Sequence, residues 1–279
     1  MNITLLGAGG KMGGRITANL RHLPQYQIDY VEASAERRRQ MAEAGIKTTP
    51  IEEALAKADA IILALPDRLI GKITYEIVPK LKSGTIVVGL DPAAAYAEVM
   101  PKRANITYFI AHPCHPPLFS DTEPASSKSD WFGGQGTLKQ SVVCALHQGS
   151  EEHYAIGEKL ASAMFAPILR TYRVTVEQMA ILEPAVVEST MATCIAAMRE
   201  AMDRAVALGV PEQAARDFCL GHIRTLTAVT FGFAGFPISD GAMKAIEQNR
   251  PRIFRANWIE EVISVPAIRE SVRDICDVR

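Results

Sequence analysis

Neither sign of charge is in excess in this chain. Thirty basic residues stand against 31 acidic ones, leaving a formal net charge of -1. At the level of composition, that excludes the strongly basic footprint of a nucleic-acid binder or of a protein held on an anionic membrane. Long hydrophobic runs are missing too, and no apolar stretch approaches the roughly 18 residues of a membrane span. The opening Met1-Asn2-Ile3-Thr4-Leu5-Leu6-Gly7 lacks the basic segment that begins a secretory signal. Cysteine is sparse: Cys114, Cys144, Cys194, Cys219 and Cys276 are odd in number and show no metal-type pairing. They read as reduced thiols of a cytoplasmic protein. An apolar content of 48% excludes intrinsic disorder, and 279 residues are enough for one large core or two smaller ones.

The first half alternates short apolar runs with helical patterns. Strands are expected at 3–6, 28–31, 60–65, 85–88 and 106–110, and helices at 11–23, 35–44, 50–57 and 69–81. Such alternation, with continuously apolar strands, predicts a parallel sheet covered by helices, the doubly wound α/β class. A stretch rich in Ser, Gly, Asp and Pro at 120–136 reads as a long loop, followed by a strand at 141–146, a helix at 151–165 and a strand near 168–175. From about Val176 the chain turns helical. Val187, Met191, Cys194, Ile195, Met198, Met202 and Val206 recur at three- and four-residue steps, and short helices are expected near 257–264 and 266–276. This divides the chain into a dinucleotide-binding domain over 1–172 and a helical substrate and dimerisation domain over 173–279.

Gly7-Ala8-Gly9-Gly10-Lys11-Met12-Gly13 follows the first strand and opens the first helix. Gly7 permits a tight turn, Gly9 lets the backbone approach a pyrophosphate, and a small residue further on lets helix and strand pack closely. In the strict fingerprint that third position is Met12, with Gly13 beside it. The free N–H groups and positive dipole of a helix N-terminus suit phosphates. Glu32 lies 23 positions after Gly9, at the end of the next strand. A carboxylate there can accept from both ribose hydroxyls, which favours NAD over NADP. Arg37, Arg38 and Arg39 keep NADP as the alternative. Gly7, Gly9, Gly10, Lys11, Met12 and Glu32 are therefore cofactor candidates, joined by Leu65, Pro66 and Asp67 at another strand's carboxyl end.

The second signal is Ala111-His112-Pro113-Cys114-His115-Pro116-Pro117, again just after a strand. Two imidazoles three residues apart in a proline-stiffened turn suit a general base or substrate-orienting role, or metal ligation. Glu183, beside Pro184 and flanked by apolar residues, would want a cation if buried. Glu188, His222 and Arg224 stay undecided between site and surface.

The order of elements and the glycine turn resemble the β-hydroxyacid dehydrogenase and ketol-acid reductoisomerase superfamily. The GxxxNxxK helix motif of the hydroxyacid dehydrogenases, whose lysine acts in hydride transfer, is missing. Residues 111–119, Gly221-His222 and the Phe236-Pro237-Ile238-Ser239-Asp240-Gly241-Ala242 segment resemble the D-apionate oxidoisomerase family, which has a phosphogluconate-dehydrogenase-like C-terminal domain. The resemblance covers nearly the whole chain. It implies NAD, a divalent metal (zinc first, with manganese or magnesium as alternatives) and oxidation of a branched sugar acid coupled to skeletal isomerisation. Under it, His115 and Glu183 are the expected metal ligands, and His112 and His115 the catalytic histidines. The opposing readings are a metal-independent hydroxyacid dehydrogenase without skeletal change and a non-catalytic NAD sensor. The apolar face after residue 184 predicts a homodimer through the C-terminal helices, with neither nucleic acid nor membrane as partner.

Overall fold

The structure, a computed structural model, describes residues 1–119, 130–134, 136 and 138–278. Most of the loop expected at 120–136 thus lies outside the described residues. The remainder divides into two compact units, Met1–Glu183 with Arg269–Arg279, and Pro184–Ile268. The division expected from sequence stood at 172/173.

The first unit is built on a seven-stranded sheet of order β2-β1-β3-β4-β5-β6-β7. Its strands are β1 (Asn2–Leu6), β2 (Gln27–Val31), β3 (Ala60–Leu63), β4 (Ile86–Gly89), β5 (Thr107–Pro113), β6 (Gln140–Gln148) and β7 (Ile168–Arg173). All pairings from β2 to β5 are parallel, β5 meets β6 antiparallel, and β6 meets β7 parallel. The doubly wound expectation holds for the first five strands, and the last two reverse direction. Along β3 and β4, alternate residues enter opposite cores. Ile61, Leu63 and Val87 join one, and Ala60, Ile62, Ile86 and Val88 the other. Both faces are therefore covered, as continuous apolar strands require. Helix α1 (Lys11–Leu20) and α6 (Glu151–Met164) pack on one face through Ile16, Leu20 and Leu160. Helices α3 (Ile51–Lys57), α4 (Asp67–Ile77) and the short α5 (Ala93–Tyr96) cover the other. Helix α2 (Ala35–Glu43) is capped by Ser34 and buries only Met41.

Thr175 and Gln178 form a capping box that starts α7 (Val176–Ala180). The helix then widens into a π-helical stretch, Ile181–Ala192, with Pro184 inside it, and continues as α8 (Thr193–Ala207). The even three- and four-residue steps expected here miss that widening. Proline lacks the N–H that the helix ladder needs, and the hydroxyls of Ser189 and Thr190 reach back five residues to the carbonyls of Pro184 and Ala185. By length and composition alone, Val176–Ala207 is long and apolar enough to cross a membrane. Helices α9 (Glu212–Thr230), α10 (Asp240–Ile253) and α11 (Trp258–Val262) follow, and α10 was not anticipated. Helix α12 (Val265–Ile275) brings Val272 and Cys276 back to the first unit's core.

Two glycines of the first turn answer to contacts. Gly7 has φ +77, and a Cβ on it would stand 2.2 Å from the Ala64 carbonyl oxygen. The role expected at Met12 falls to Gly13, where a Cβ would stand 2.3 Å from the Gly7 oxygen. Gly14, one residue on, has nothing within 4 Å. Gly13→Ala is expected to cost about 1–3 kcal/mol or more by overpacking. Gly14→Ala should instead stabilise by up to about 1 kcal/mol through helix propensity. Chemical denaturation of the two variants checks the contrast, and equal effects would contradict the close helix–strand contact.

Candidate active site at the carboxyl edge of the sheet

Parallel pairing puts the carboxyl ends of β1, β3, β4 and β5 on one edge. A cleft of about 400 Å³ opens there, lined among others by Gly10, Lys11, Met12, Leu65, Pro66, Asp67, Asp91, His112, His115 and Phe132. Eight of these ten were singled out from sequence. Asp91 and Phe132 were not named then, nor was Leu90. Asp91 could have been found by the strand-end rule that found Asp67, because it lies just beyond β4. Phe132 sits in a segment whose composition reads only as loop.

Glu32 lies outside this cleft and is buried. Its Oε2 accepts from Gly9 N at 3.0 Å and its Oε1 from Ser34 N at 2.9 Å, so the carboxylate braces the glycine turn. It also lines a neighbouring hollow of about 420 Å³ with Val31, Ala33, Arg38 and Thr48–Ile51. Asp67 is the first residue of α4, which starts two residues before the expected 69, and its charge suits the helix start.

His112 is on β5 itself, opposite Val143, not in the turn after the strand. Its Nδ1 lies 2.8 Å from the Leu90 carbonyl oxygen, and 3.8 Å from Asp91 Oδ2. A carbonyl only accepts, so Nδ1 carries the hydrogen and Nε2 is left as the basic nitrogen. Glu183 Oε2 stands 3.3 Å from that Nε2, and both side chains are largely buried. His115 follows in the left-handed region, with φ +60, a conformation histidine adopts more readily than most residues. Its Nδ1 lies 3.0 Å from the Phe132 carbonyl oxygen, which frees its Nε2 in the same way. The two imidazoles meet edge-on with centroids 6.2 Å apart.

Phe132 ties the histidines to the glycine turn. Its ring lies edge-on to His115 at 5.4 Å, and Lys11 Nζ sits 3.3 Å above its centre. Arg15 holds the same segment through the Gly133 carbonyl and lies 3.7 Å from Asp130. Burial pushes the Asp91 carboxyl above the ordinary carboxylate range, opposed by the Ala93 N–H and by the His112 charge.

The expected ligand pair is not what the geometry brings together. Glu183 is set against His112, while His115 turns to the Phe132 carbonyl. Among the described residues, no group of three or more His, Cys, Asp or Glu is arranged to hold a metal ion. Among the described residues the donors thus form no ready set of three for a zinc, manganese or magnesium ion. Glu188 falls in the π-helical stretch, and Arg224 on α9. His222, also on α9, is exposed and stacks on Phe218 at 4.0 Å.

A glycine turn on the first strand of a wound sheet, with two imidazoles and two carboxylates at the same edge, defines a Rossmann-type oxidoreductase. The comparisons sharpen that class. The family described as "Phosphogluconate dehydrogenase (decarboxylating) C-term" matches residues 120–276, and that described as "NADP oxidoreductase coenzyme F420-dependent" matches 2–91. D-apionate oxidoisomerases from Cupriavidus necator and Rhizobium rhizogenes are each 47% identical over 274 residues, covering 98% of both chains. A crystal structure of a semialdehyde dehydrogenase NAD-binding protein from Cupriavidus necator, in complex with calcium and NAD, superimposes with a TM-score of 0.94. It is 46% identical and covers 98% of this chain and 99% of its own. The chain belongs to the D-apionate oxidoisomerase family.

Because the folded chain holds the Asp91 proton more tightly than the unfolded chain, stability should fall as pH rises from the ordinary carboxylate value to the raised one. Asp91→Asn removes that decline. Its Tm is therefore expected to gain on the parent's as pH rises from the ordinary carboxylate value, about 4, to the raised one. A Tm difference that stays constant over that range would contradict the buried-carboxylate account.

Proposed function

We propose that this chain oxidises and isomerises a branched sugar acid, D-apionate, with NAD as hydride acceptor. The observation that carries the reading is the line Leu90 carbonyl, His112, Glu183 at the edge of the dinucleotide cleft. Membership of an enzyme family sets the non-catalytic sensor aside.

The residues fit the dinucleotide. Gly9 and Gly10 leave the turn without side chains, Lys11 brings a cation to the start of α1, and Glu32 stands where ribose hydroxyls are read. Bound there, NAD accepts the hydride from the carbinol carbon next to the substrate carboxylate. His112 Nε2 is placed to take that alcohol's proton, and Glu183 to stabilise the imidazolium that results. Oxidation leaves a 2-keto acid beside a tertiary alcohol. His115 Nε2 then removes the tertiary hydroxyl proton, and one hydroxymethyl group moves with its electron pair to the ketone carbon. The old alcohol carbon becomes the new ketone, and His112 returns a proton to the alkoxide formed at the other. Atoms and charge balance with one proton released for each hydride transferred. In this reading the proton transfers fall to His112 and His115, with Glu183 beside His112.

Replacing His112 by Ala is expected to lower kcat by about 10²–10⁴ while the KM for NAD moves far less. Product NMR after incubation with NAD and D-apionate decides the reaction. A 2-keto acid with its original skeleton would identify the alternative dehydrogenase without rearrangement. Turnover should survive a chelator. Loss of activity that one divalent ion restores would return His115 and Glu183 to ligand roles.

The helical part of the chain after residue 172 serves as the dimerisation domain in this reading. Met191, Ile195, Met198, Phe218, Leu226, Phe231, Phe233 and Phe236 are between 46 and 71% exposed, an apolar face larger than monomers usually leave open. A bilayer is the poorer cover, since the same helical run carries Glu188, Arg199, Glu200, Asp203 and Arg204. Each would cost about 2.5–3.5 kcal/mol at the membrane centre. We place the protein in the cytoplasm, in keeping with its five free thiols. Light scattering at micromolar concentration should give a homodimer, with the segment near Ser239 and Asp240 at the neighbour's cleft. A monomer would refute the assembly.

A further inference from the structure

A second cavity, of about 340 Å³, opens within the first unit, where Tyr96, Glu98, His147, Arg269 and Arg273 supply its polar groups. Among the described residues it shares no lining side chain with the dinucleotide cleft. His112 stands opposite Val143 on β6, and His147 lies four residues further along β6, its ring tilted against that of Tyr108 at 6.2 Å. At roughly 3.4 Å per residue the two histidines stand ~14 Å apart along the sheet. Arg269 and Arg273, four apart, project from one side of α12. Val272, fully buried beside them, pins that helix to the core. Among the described residues, neither guanidinium has an acceptor or counter-ion, and the Tyr96 hydroxyl, the Glu98 carboxylate and the His147 ring have no hydrogen-bond partner either. Glu98 holds its place against backbone preference. Its N–H and that of Val99 bond to the carbonyls of Ala95 and Ala94, both at 3.2 Å, and close α5 with Glu98 in the left-handed region at φ +56. Glycine usually takes that position. Five polar groups without internal partners thus converge on one hollow, and one of them is kept there at a conformational cost.

We propose that this cavity binds a small polyhydroxy acid. The acid group, a carboxylate or a phosphate, lies on Arg269 and Arg273, and the hydroxyls lie on Glu98, Tyr96 and His147. A guanidinium is a planar fork of donors that matches either oxyanion, and two of them stand on a helix already anchored in the core. Two guanidiniums against one carboxylate leave the lining positive, so an anion is favoured over a neutral sugar. Glu98 is an acceptor only. It takes hydrogen bonds from hydroxyls and repels a bare anion, and so selects for an acid that carries hydroxyls. Tyr96 and His147 each offer a further donor or acceptor. Neither the glycine turn nor the catalytic histidines reach this hollow, so its occupant is bound without hydride transfer and stands apart from the reaction proposed above.

The test is isothermal titration of the full chain with D-gluconate, glycerol 3-phosphate and inorganic phosphate. At least one of the two hydroxylated probes should bind, and the tighter of them tells which acid group the site takes. Arg269→Ala combined with Arg273→Ala, two surface changes, should weaken that binding at least tenfold while the NADH Kd stays within twofold. His112→Ala, in the other cleft, should leave the probe Kd within twofold. Glu98→Gln should lower the preference for glycerol 3-phosphate over inorganic phosphate at least threefold. Glu98→Gly should lower it as far and also raise Tm, because it relieves the left-handed backbone. Absence of binding by both hydroxylated probes overturns the proposal. So does binding that survives loss of both arginines, or binding that His112→Ala abolishes, which would put the probe in the dinucleotide cleft. An unchanged preference in both Glu98 variants overturns the selection for hydroxyls. Each of these results leaves the reading of the dinucleotide cleft untouched, since product NMR alone decides that.

Discussion

Parallel pairing from β2 to β5 is the constraint on which the rest depends. Each parallel strand must be re-entered from the same end, so each crossover begins at the carboxyl edge. The glycine turn, Leu65–Asp67, Leu90–Asp91 and the His112 end of β5 therefore share one rim, although up to about a hundred residues separate them. The close fit of this rim shows at Gly7 and Gly13, where even a methyl group would collide with backbone oxygen. The missing side chains at these two positions let the turn close and the helix pack against the strand.

At this rim, main-chain carbonyls decide which imidazole nitrogen is free. Leu90 and Phe132 present oxygen to the Nδ1 atoms of His112 and His115, and both rings are left with Nε2 as the basic position. The rings differ in what stands beyond. Glu183 lies 3.3 Å from His112 Nε2, so a carboxylate faces that ring. Asp91, buried close to the other nitrogen, adds a second negative neighbour. Among the described residues, His115 forms no ion pair with a carboxylate, and its Nδ1 faces only the Phe132 carbonyl.

Glu183 owes its position to a local irregularity. A capping box at Thr175 and Gln178 fixes where the helix starts, and the widening around Pro184 begins at Ile181, two residues before Glu183. A π-helical stretch changes the angular spacing of side chains, so residues ahead of and behind it no longer lie on the face that regular periodicity assigns. Such stretches often mark functional sites, and here the widening coincides with the carboxylate set against His112.

The sequence by itself determined the wound sheet, the order of its first elements and the glycine turn that begins it. These follow from local signals, namely apolar periodicity, glycine where a turn needs it and proline where a helix ends. Local signals also placed His112, His115 and Leu65–Asp67 at one rim, because strand ends and topology are enough for that. Tertiary structure decided what those residues do to one another. It gave Glu183 to His112 and not to His115, brought in Asp91 and Phe132, and reversed β6 and β7. Each of these outcomes depends on which donor finds which acceptor across a long chain separation, 22 residues between His112 and Leu90 and 17 between His115 and Phe132. Residue spacing carries no record of those pairings, because they are set by the packing of strands and helices that bring the partners within reach.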